Sequence, residues 1–284
     1  MKDRQFLCYG MYILAMLVFG TNGYYVTHIS LSGSQIVLFR TLIGGILLTA
    51  MIVLRGGFDR PSLQSDAVPL LCGGVALGLN WVALFEAYRL LNVSLATLIY
   101  YVGPVLFLLS SPFLLHEKLS GTKVAAVCIV LIGLVCISGS IVADGMSSAG
   151  LFAAVMSALF YAMLITFNKR VVKTGGMQTA AVELDAAFIV VLLYVLLTTA
   201  LPHPQAADLP YLAAIGLINT GLAYFLYFSG LQKLPGQTVA LLSYVDPVSA
   251  LLFSAVLLNE VLTPLQLAGT VLIIGGAMFG ETRA

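Results

Sequence analysis

The sequence predicts an all-α integral membrane protein of ten transmembrane helices in two inverted five-helix repeats. Three observations carry that reading. Of the 284 residues, 60% are hydrophobic and only 9% are charged, against about half apolar and about a quarter charged in a soluble domain. Ten apolar runs of membrane-crossing length follow one another. The second half of the chain repeats the first at a constant offset. A disordered chain is excluded, because it needs low hydrophobicity and high net charge. The 13 Lys and Arg against 12 Asp and Glu leave a formal charge of +1, which points to neither nucleic acid nor an acidic partner.

A helix crosses the hydrocarbon core with about 20 apolar residues, and charged or turn residues mark its ends. The run 6–26 follows Lys2 and Arg4 as a signal peptide would, yet no small-residue cleavage site comes after it, so it stays as a helix. The run 34–54 stops at Arg55-Gly56-Gly57, 67–89 closes on Arg89, and 94–115 ends at His116-Glu117-Lys118. Then come 122–141, 149–168 before Lys169-Arg170, and 179–201 before Pro202-His203-Pro204. The last three are 209–230, 236–258 and 265–281. Loops of a few residues leave no room for a soluble catalytic domain. With the N-terminus in the cytoplasm, Lys2, Arg4, Arg55, Arg60, Lys118, Lys123, Lys169, Arg170, Lys173, Lys233 and Arg283 fall on the inner side. Arg89 then sits at an outer helix end and Arg40 within the second span. The positive-inside rule therefore places both termini in the cytoplasm.

Tyr101-Val102-Gly103-Pro104-Val105 reappears as Tyr244-Val245-Asp246-Pro247-Val248, and His116-Glu117-Lys118-Leu119 as Asn259-Glu260-Val261-Leu262, both at an offset of 143. Between these anchors Leu108, Leu109, Ser111, Leu114 and Leu115 match Leu251, Leu252, Ser254, Leu257 and Leu258 without a gap. The units divide the chain into 1–141 and 142–284. Each holds an odd number of helices, so the second lies upside down relative to the first. Inverted repeats are an architecture of secondary transporters, which bind solute near mid-membrane at the repeat interface.

Phe39-Arg40, Gly103-Pro104-Val105 through Leu115-His116-Glu117-Lys118-Leu119, and Asp246-Pro247-Val248 through Leu258-Asn259-Glu260-Val261-Leu262 resemble the EamA-type branch of the drug/metabolite transporter superfamily. The resemblance covers essentially the whole chain. It implies export of amino acids, related metabolites or toxic cations. Asp246 stands where the first unit has Gly103, so the site is not symmetric.

Asp246 is the main candidate for chemistry. It lies about ten residues into its span, where a carboxylate costs about 2.5–3.5 kcal/mol and so faces a polar cavity or a partner. Pro247 removes a backbone donor, and the two together predict a broken helix at a binding site. Tyr24, Tyr25, Tyr100, Tyr101, Tyr161, Tyr224, Tyr227 and Tyr244 gather in the same region. Tyr24 and Tyr25 belong to the interfacial belt. The central rings and one carboxylate suit an ammonium group, through charge pairing and cation–π attraction. On a regular helix Tyr244 and Asp246 point about 200° apart, so both reach a cavity only if Pro247 distorts the helix. Asn80, Trp81, Asn219, Tyr224 and Thr220 add polar and aromatic groups, and polar residues also bind helices together.

Glu86 and Arg89, three residues apart, share a helix face and form an ion pair, while Asn80 points elsewhere on that helix. Arg40 is a structural or gating charge. Its counterpart at the same offset is Glu183, and Glu183 and Asp185 are expected to be solvated near the cytoplasm. Gly44, Gly45, Gly74, Gly78, Gly276 and Gly280 allow close helix approach. Cys8, Cys72, Cys128 and Cys136 lack metal or redox spacing and read as small apolar residues. His28, His116 and His203 lie near membrane edges, and no HExxH, phosphate-binding loop or GxSxG motif occurs.

The resemblance implies an inner-membrane secondary transporter, not an enzyme, exporting amino acids or similar zwitterionic or cationic metabolites by alternating access. Its partners would be the small-molecule substrate, membrane lipids and protons, with no cofactor, metal or nucleic acid. The third, fourth, sixth, eighth and ninth helices line the expected cavity. Asp246 would bind the amine or exchange a proton, Tyr101, Tyr161 and Tyr244 would wall the site, and Asn80 and Asn219 would orient polar groups. The alternatives are a multidrug or organic-cation exporter, an intramembrane enzyme on lipid-linked substrates, and a passive channel.

Overall fold

The computed structural model describes residues 2–91, 93–114, 120–138, 147–200, 202–259 and 261–282. These residues form helices and connecting loops, with no strand among them. Nine of the described helices are long and apolar enough to cross a membrane, and Pro264–Gly280 is a shorter apolar helix. The face at which the first helix starts is called the N face, and the opposite one the far face.

Helices α1 (Lys2–Gly20) and α2 (Asn22–Thr27) make the first crossing. They are separated at Thr21, whose hydroxyl donates to the Val18 carbonyl at 2.7 Å. Helix α3 (Gly33–Leu54) returns to the N face. At its start the Ser32 amide donates to Gln35 Oε1 at 3.1 Å, satisfying a group that no helical turn can reach. A short surface helix α4 (Arg60–Ser65), absent from the sequence expectation, precedes α5 (Ala67–Leu90). The Asp59 side chain caps it, accepting from Ser62 Oγ at 2.6 Å.

The fourth crossing is broken into α6 (Val93–Tyr100) and α7 (Gly103–Leu114), and α8 (Gly121–Ser138) follows. Then come α9 (Ser148–Lys169) and α10 (Gly176–Thr198). The eighth crossing runs through α11 (Leu209–Ala214), a π-helical segment Ile215–Leu222 and α12 (Ala223–Leu231). The ninth is broken into α13 (Gly236–Leu242) and α14 (Val245–Leu257), and α15 (Pro264–Thr282) is last. Asn259 stops α14 with φ of 55°, a left-handed conformation that Asn tolerates. The repeat anchors His116, Glu117, Lys118 and Glu260 lie outside the described residues, as does Arg283.

Packing follows the small residues. Helix α5 lies along α9 and α10, α10 also meets α3, α1 packs on α12 and α14, and α8 pairs with α15. A Cβ built on Gly133 of α8 would stand 2.7 Å from the Gly269 carbonyl, and one on Gly269 2.6 Å from the Gly133 carbonyl. Only glycine at both positions lets these two backbones touch. Two carboxylates staple the loops. Asp66 accepts the backbone amides of Lys173 and Thr174 at 2.8 and 2.7 Å on the N face. Asp208 accepts from the Ser30 amide and hydroxyl at 2.9 and 2.7 Å on the far face.

The structure corrects one burial expectation. Glu183 is fully buried, with 0% exposure, because α5 and α9 close over it where the sequence suggested solvent. Asp185 is exposed on the opposite side of α10, beside Gly45 and Thr49 of α3.

Candidate functional site

The breaks in the fourth and ninth crossings position the site. They fall at Tyr101-Val102 and Ser243-Tyr244, so the paired tyrosines are 143 residues apart. Pro247 cannot donate to the Ser243 carbonyl, and the Asp246 amide bonds that oxygen instead at 3.3 Å, in a tighter turn. The interruption thus precedes the proline by one turn. It leaves Asp246 in the first turn of α14, where the positive end of the helix dipole favours a carboxylate.

Around these breaks lies a cavity of about 490 Å³. Arg40, Asn80, Trp81, Tyr101, Tyr161, Tyr224 and Asp246 line it, together with Tyr100, Tyr227 and Tyr88. The Tyr101 hydroxyl donates to Asp246 Oδ2 at 3.1 Å. Tyr100 and Tyr161 stack with centroids 5.1 Å apart and rings 7° from parallel. Trp81 meets Tyr224 edge-on at 5.6 Å.

Arg40 stands over the Trp81 ring, its Cζ 5.2 Å from the centroid. Its Nε donates to Thr220 Oγ1 at 2.8 Å. Thr220 in turn donates to the Ile215 carbonyl five residues back at 2.9 Å, the spacing of the π-helical segment. The wide turn therefore presents Thr220 to the guanidinium. Among the described residues the ion pair within 4.0 Å is Arg89–Glu86. Arg40 and Asp246 therefore border the same cavity without a direct ion pair.

Two residues expected at the cavity wall stand elsewhere. Tyr244 is fully buried and its hydroxyl donates to the Tyr101 carbonyl at 2.9 Å, so it braces the opposite break. Its ring borders an apolar groove between α1, α14 and α15. Asn219 donates to the Val18 carbonyl and Thr21 Oγ1 at 2.7 and 2.8 Å, which ties the π-helical segment to the kink in the first crossing. Asn80 borders the cavity, but its amide nitrogen is held by Ser157 O and Oγ at 2.8 and 3.1 Å.

Glu86 and Arg89 pair at 2.7 Å at the far rim, away from the cavity, and Tyr194 donates its hydroxyl to Glu86. With 69% of the Arg89 side chain exposed, water screens the pair and it adds little to stability. Sequence reasoning missed the first helix, which brings Met16, Phe19 and Gly20 to the cavity. It also missed Tyr88, one turn beyond Leu84, which lines the cavity too. The signal available was the helical spacing of Asn80, Trp81, Leu84 and Tyr88 on one face of α5.

A helical membrane bundle that breaks two crossings around a charged, aromatic-lined cavity has the form of a small-molecule transporter. The EamA-like transporter family matches residues 6–139 and again 148–280, and the chain belongs to it. It is 27% identical over 274 residues to the "Uncharacterized transporter YxxF" of Bacillus subtilis, covering 93% of this chain and 86% of that one. It is 28% identical over 176 residues to the "Probable amino-acid metabolite efflux pump" of Salmonella typhimurium, covering 58% of this chain and 59% of that protein. A solved crystal structure superposes with a TM-score of 0.85 at 22% identity, over 96% of this chain and 97% of the other, and so shares the fold.

Proposed function

We propose that the protein is a secondary transporter of the cytoplasmic (inner) membrane that exports amino acids or related zwitterionic metabolites by alternating access. The observation that carries this reading is the placement of Asp246 and Arg40 on one aromatic-walled cavity without a direct ion pair. A zwitterion answers both charges, its ammonium at Asp246 and its carboxylate at Arg40. The aromatic rings would cover the apolar part and add cation–π attraction to the amine. The volume of about 490 Å³ lies within the about 300–1,000 Å³ of small-molecule sites. The name of the Salmonella relative supports amino-acid metabolites as the class.

Ten crossings in two inverted units, 1–141 and 142–284, agree with the two successive family matches and with breaks 143 residues apart. The N face is cytoplasmic on the distribution of Lys and Arg. Asp246 anchors the amine, Tyr101 orients that carboxylate, and Tyr244 holds Tyr101. Asn80 and Asn219 hold helices in place rather than touching solute.

The test is counterflow in proteoliposomes preloaded with a mixture of amino acids and amines, with Asp246→Asn alongside the wild type. Saturable exchange of zwitterions that collapses in Asp246→Asn supports the reading. Exchange of organic cations alone would favour a multidrug exporter, and non-saturable flux without counterflow a channel.

A further inference from the structure

One buried carboxyl has no part in that scheme. Glu183 lies seven residues into α10, about 10 Å along the helix from the N face, with 0% exposure. Asn168 Nδ2 of α9 donates to Glu183 Oε2 at 3.0 Å. Glu183 Oε1 packs so tightly on Gly73 of α5 that a Cβ there would lie 2.4 Å away. Both Glu183 Oε1 and Asn168 Oδ1 are buried without a hydrogen-bond partner.

Among the described residues no cation lies within 4.0 Å of the Glu183 carboxyl. Lys169 of α9 gives its ammonium to the carbonyls of Leu231 and Leu234. Asp185, on the same helix, points the other way toward Gly45 and Thr49 of α3. From α12 the Tyr224 phenol lies within electrostatic reach. An unpaired carboxylate inside a membrane bundle is costly, whereas a proton on the carboxyl removes the charge.

Its position gives the proton a role. Leu77 of α5 and Leu164 of α9 line the cavity. Gly73 and Asn168 lie one turn further along those helices toward the N face, so Glu183 sits in the seal beneath the cavity. Glu183 is also the counterpart of Arg40, and Tyr224 that of Trp81, at the offset of 143. The cavity lining continues toward the far face through Gly23, Val26 and Val93, on the side of Arg40, whereas Glu183 lies buried on its N-face side.

Resting on the transporter reading, we propose that Glu183 is a proton-binding site that closes the N-face gate. It keeps a proton while the seal is shut, and parting of the helices hydrates it. The O–H bond then breaks, the proton passes to water on the N face, and the carboxylate remains until the seal reforms around a reprotonated group. Opening toward the N face therefore releases one proton and is favoured as pH on that side rises.

The experiment uses full-length protein in proteoliposomes with its four native cysteines replaced by alanine and Leu164→Cys introduced. A membrane-impermeant maleimide on the N-face side reads opening. Labelling rates are compared with and without Glu183→Gln, so the thiol's own titration is common to both. One proton released per opening makes the ratio of the two rates rise by up to about tenfold per pH unit. Glu183→Asp, which keeps a carboxyl, retains a rising ratio. A ratio that stays flat with pH, or one that follows sodium at constant pH, overturns the proposal. Counterflow measured in the same vesicles separates the two readings: solute exchange with a flat ratio ends the gate proposal alone, and no exchange by the wild type ends the transporter reading itself.

Discussion

Replacing Asp246 by Asn removes one charge and little else. The Tyr101 hydroxyl, 3.1 Å from Asp246 Oδ2, can still donate to the amide oxygen of Asn. Pro247 and the break before it remain, as does the bond from Tyr244 to the Tyr101 carbonyl. The variant thus tests whether a cationic group of the ligand meets this carboxylate. A hydrogen bond to a charged group contributes about 1.5–3 kcal/mol, and each 1.4 kcal/mol is about tenfold in affinity. Asp246→Asn should weaken zwitterion binding roughly tenfold to 150-fold. The assay is titration calorimetry on purified protein at neutral pH and fixed ionic strength, with an amino acid that exchanges and its analogue lacking the amine. The analogue should bind both forms alike. A loss of affinity below about threefold, or an equal loss for the analogue, would refute the assignment of Asp246 to the amine.

Further outcomes follow from the same geometry. Arg40→Gln should lower affinity for a zwitterion by about tenfold or more while sparing the corresponding decarboxylated amine, read in the same calorimeter. Trp81 is the one tryptophan of the chain and lies 5.2 Å from the Arg40 Cζ. Solute binding should therefore change intrinsic emission, and Trp81→Phe should abolish that signal. Gly133→Ala puts a methyl 2.7 Å from the Gly269 carbonyl, so thermal unfolding should show a loss of about 1–3 kcal/mol as α8 and α15 are forced apart. At Asp66, burial works to raise the carboxyl, but the Thr174 and Lys173 amides outweigh it and hold the group below its ordinary value of 3.8. A depressed folded value stabilises the protein above the unfolded one, and that stability is lost as pH falls through the folded value. Asp66→Asn should accordingly be less stable than wild type at neutral pH, with the difference shrinking in acid below about pH 4.

What was legible in the sequence was whatever repeats or carries a charge in an apolar run. Asp246 followed by Pro247 announced both the helix break and a cavity-facing carboxylate, since neither sits easily in an intact apolar helix. The exact break could not be read, because a proline frees the carbonyl a full turn earlier and the chain reorganises there, at Ser243 and Tyr244. The direction of Tyr244 depends on that reorganisation, and it turned toward the Tyr101 carbonyl. The π-helical segment left no trace in composition, and with it the placing of Thr220, whose hydroxyl reaches the Ile215 carbonyl five residues back while Arg40 donates to it, could not be read. Glu183 was misread for a related reason: its depth along α10 suggested solvent, but burial is decided by Gly73 and Asn168 on neighbouring helices.

The proposed repeat would account for the site's polarity. A chain made of two inverted units would give equivalent breaks and equivalent passages toward the two membrane faces, and with identical side chains it would bind a symmetric ligand with no preferred face. Substitutions at matched positions remove that equivalence. Asp246 stands against Gly103, and the glycine admits the Tyr161 ring where a Cβ would lie 2.8 Å from it. One break thus offers a carboxylate and the other only a close-packed aromatic. Arg40 stands against Glu183, so the far-face side of the cavity carries a permanent cation, while its N-face side carries a buried group able to lose its charge by binding a proton. A guanidinium cannot be neutralised at any physiological pH, whereas a carboxyl can. The asymmetry therefore makes one half of the passage suited to holding a carboxylate-bearing solute and the other suited to closing without leaving a charge in the seal.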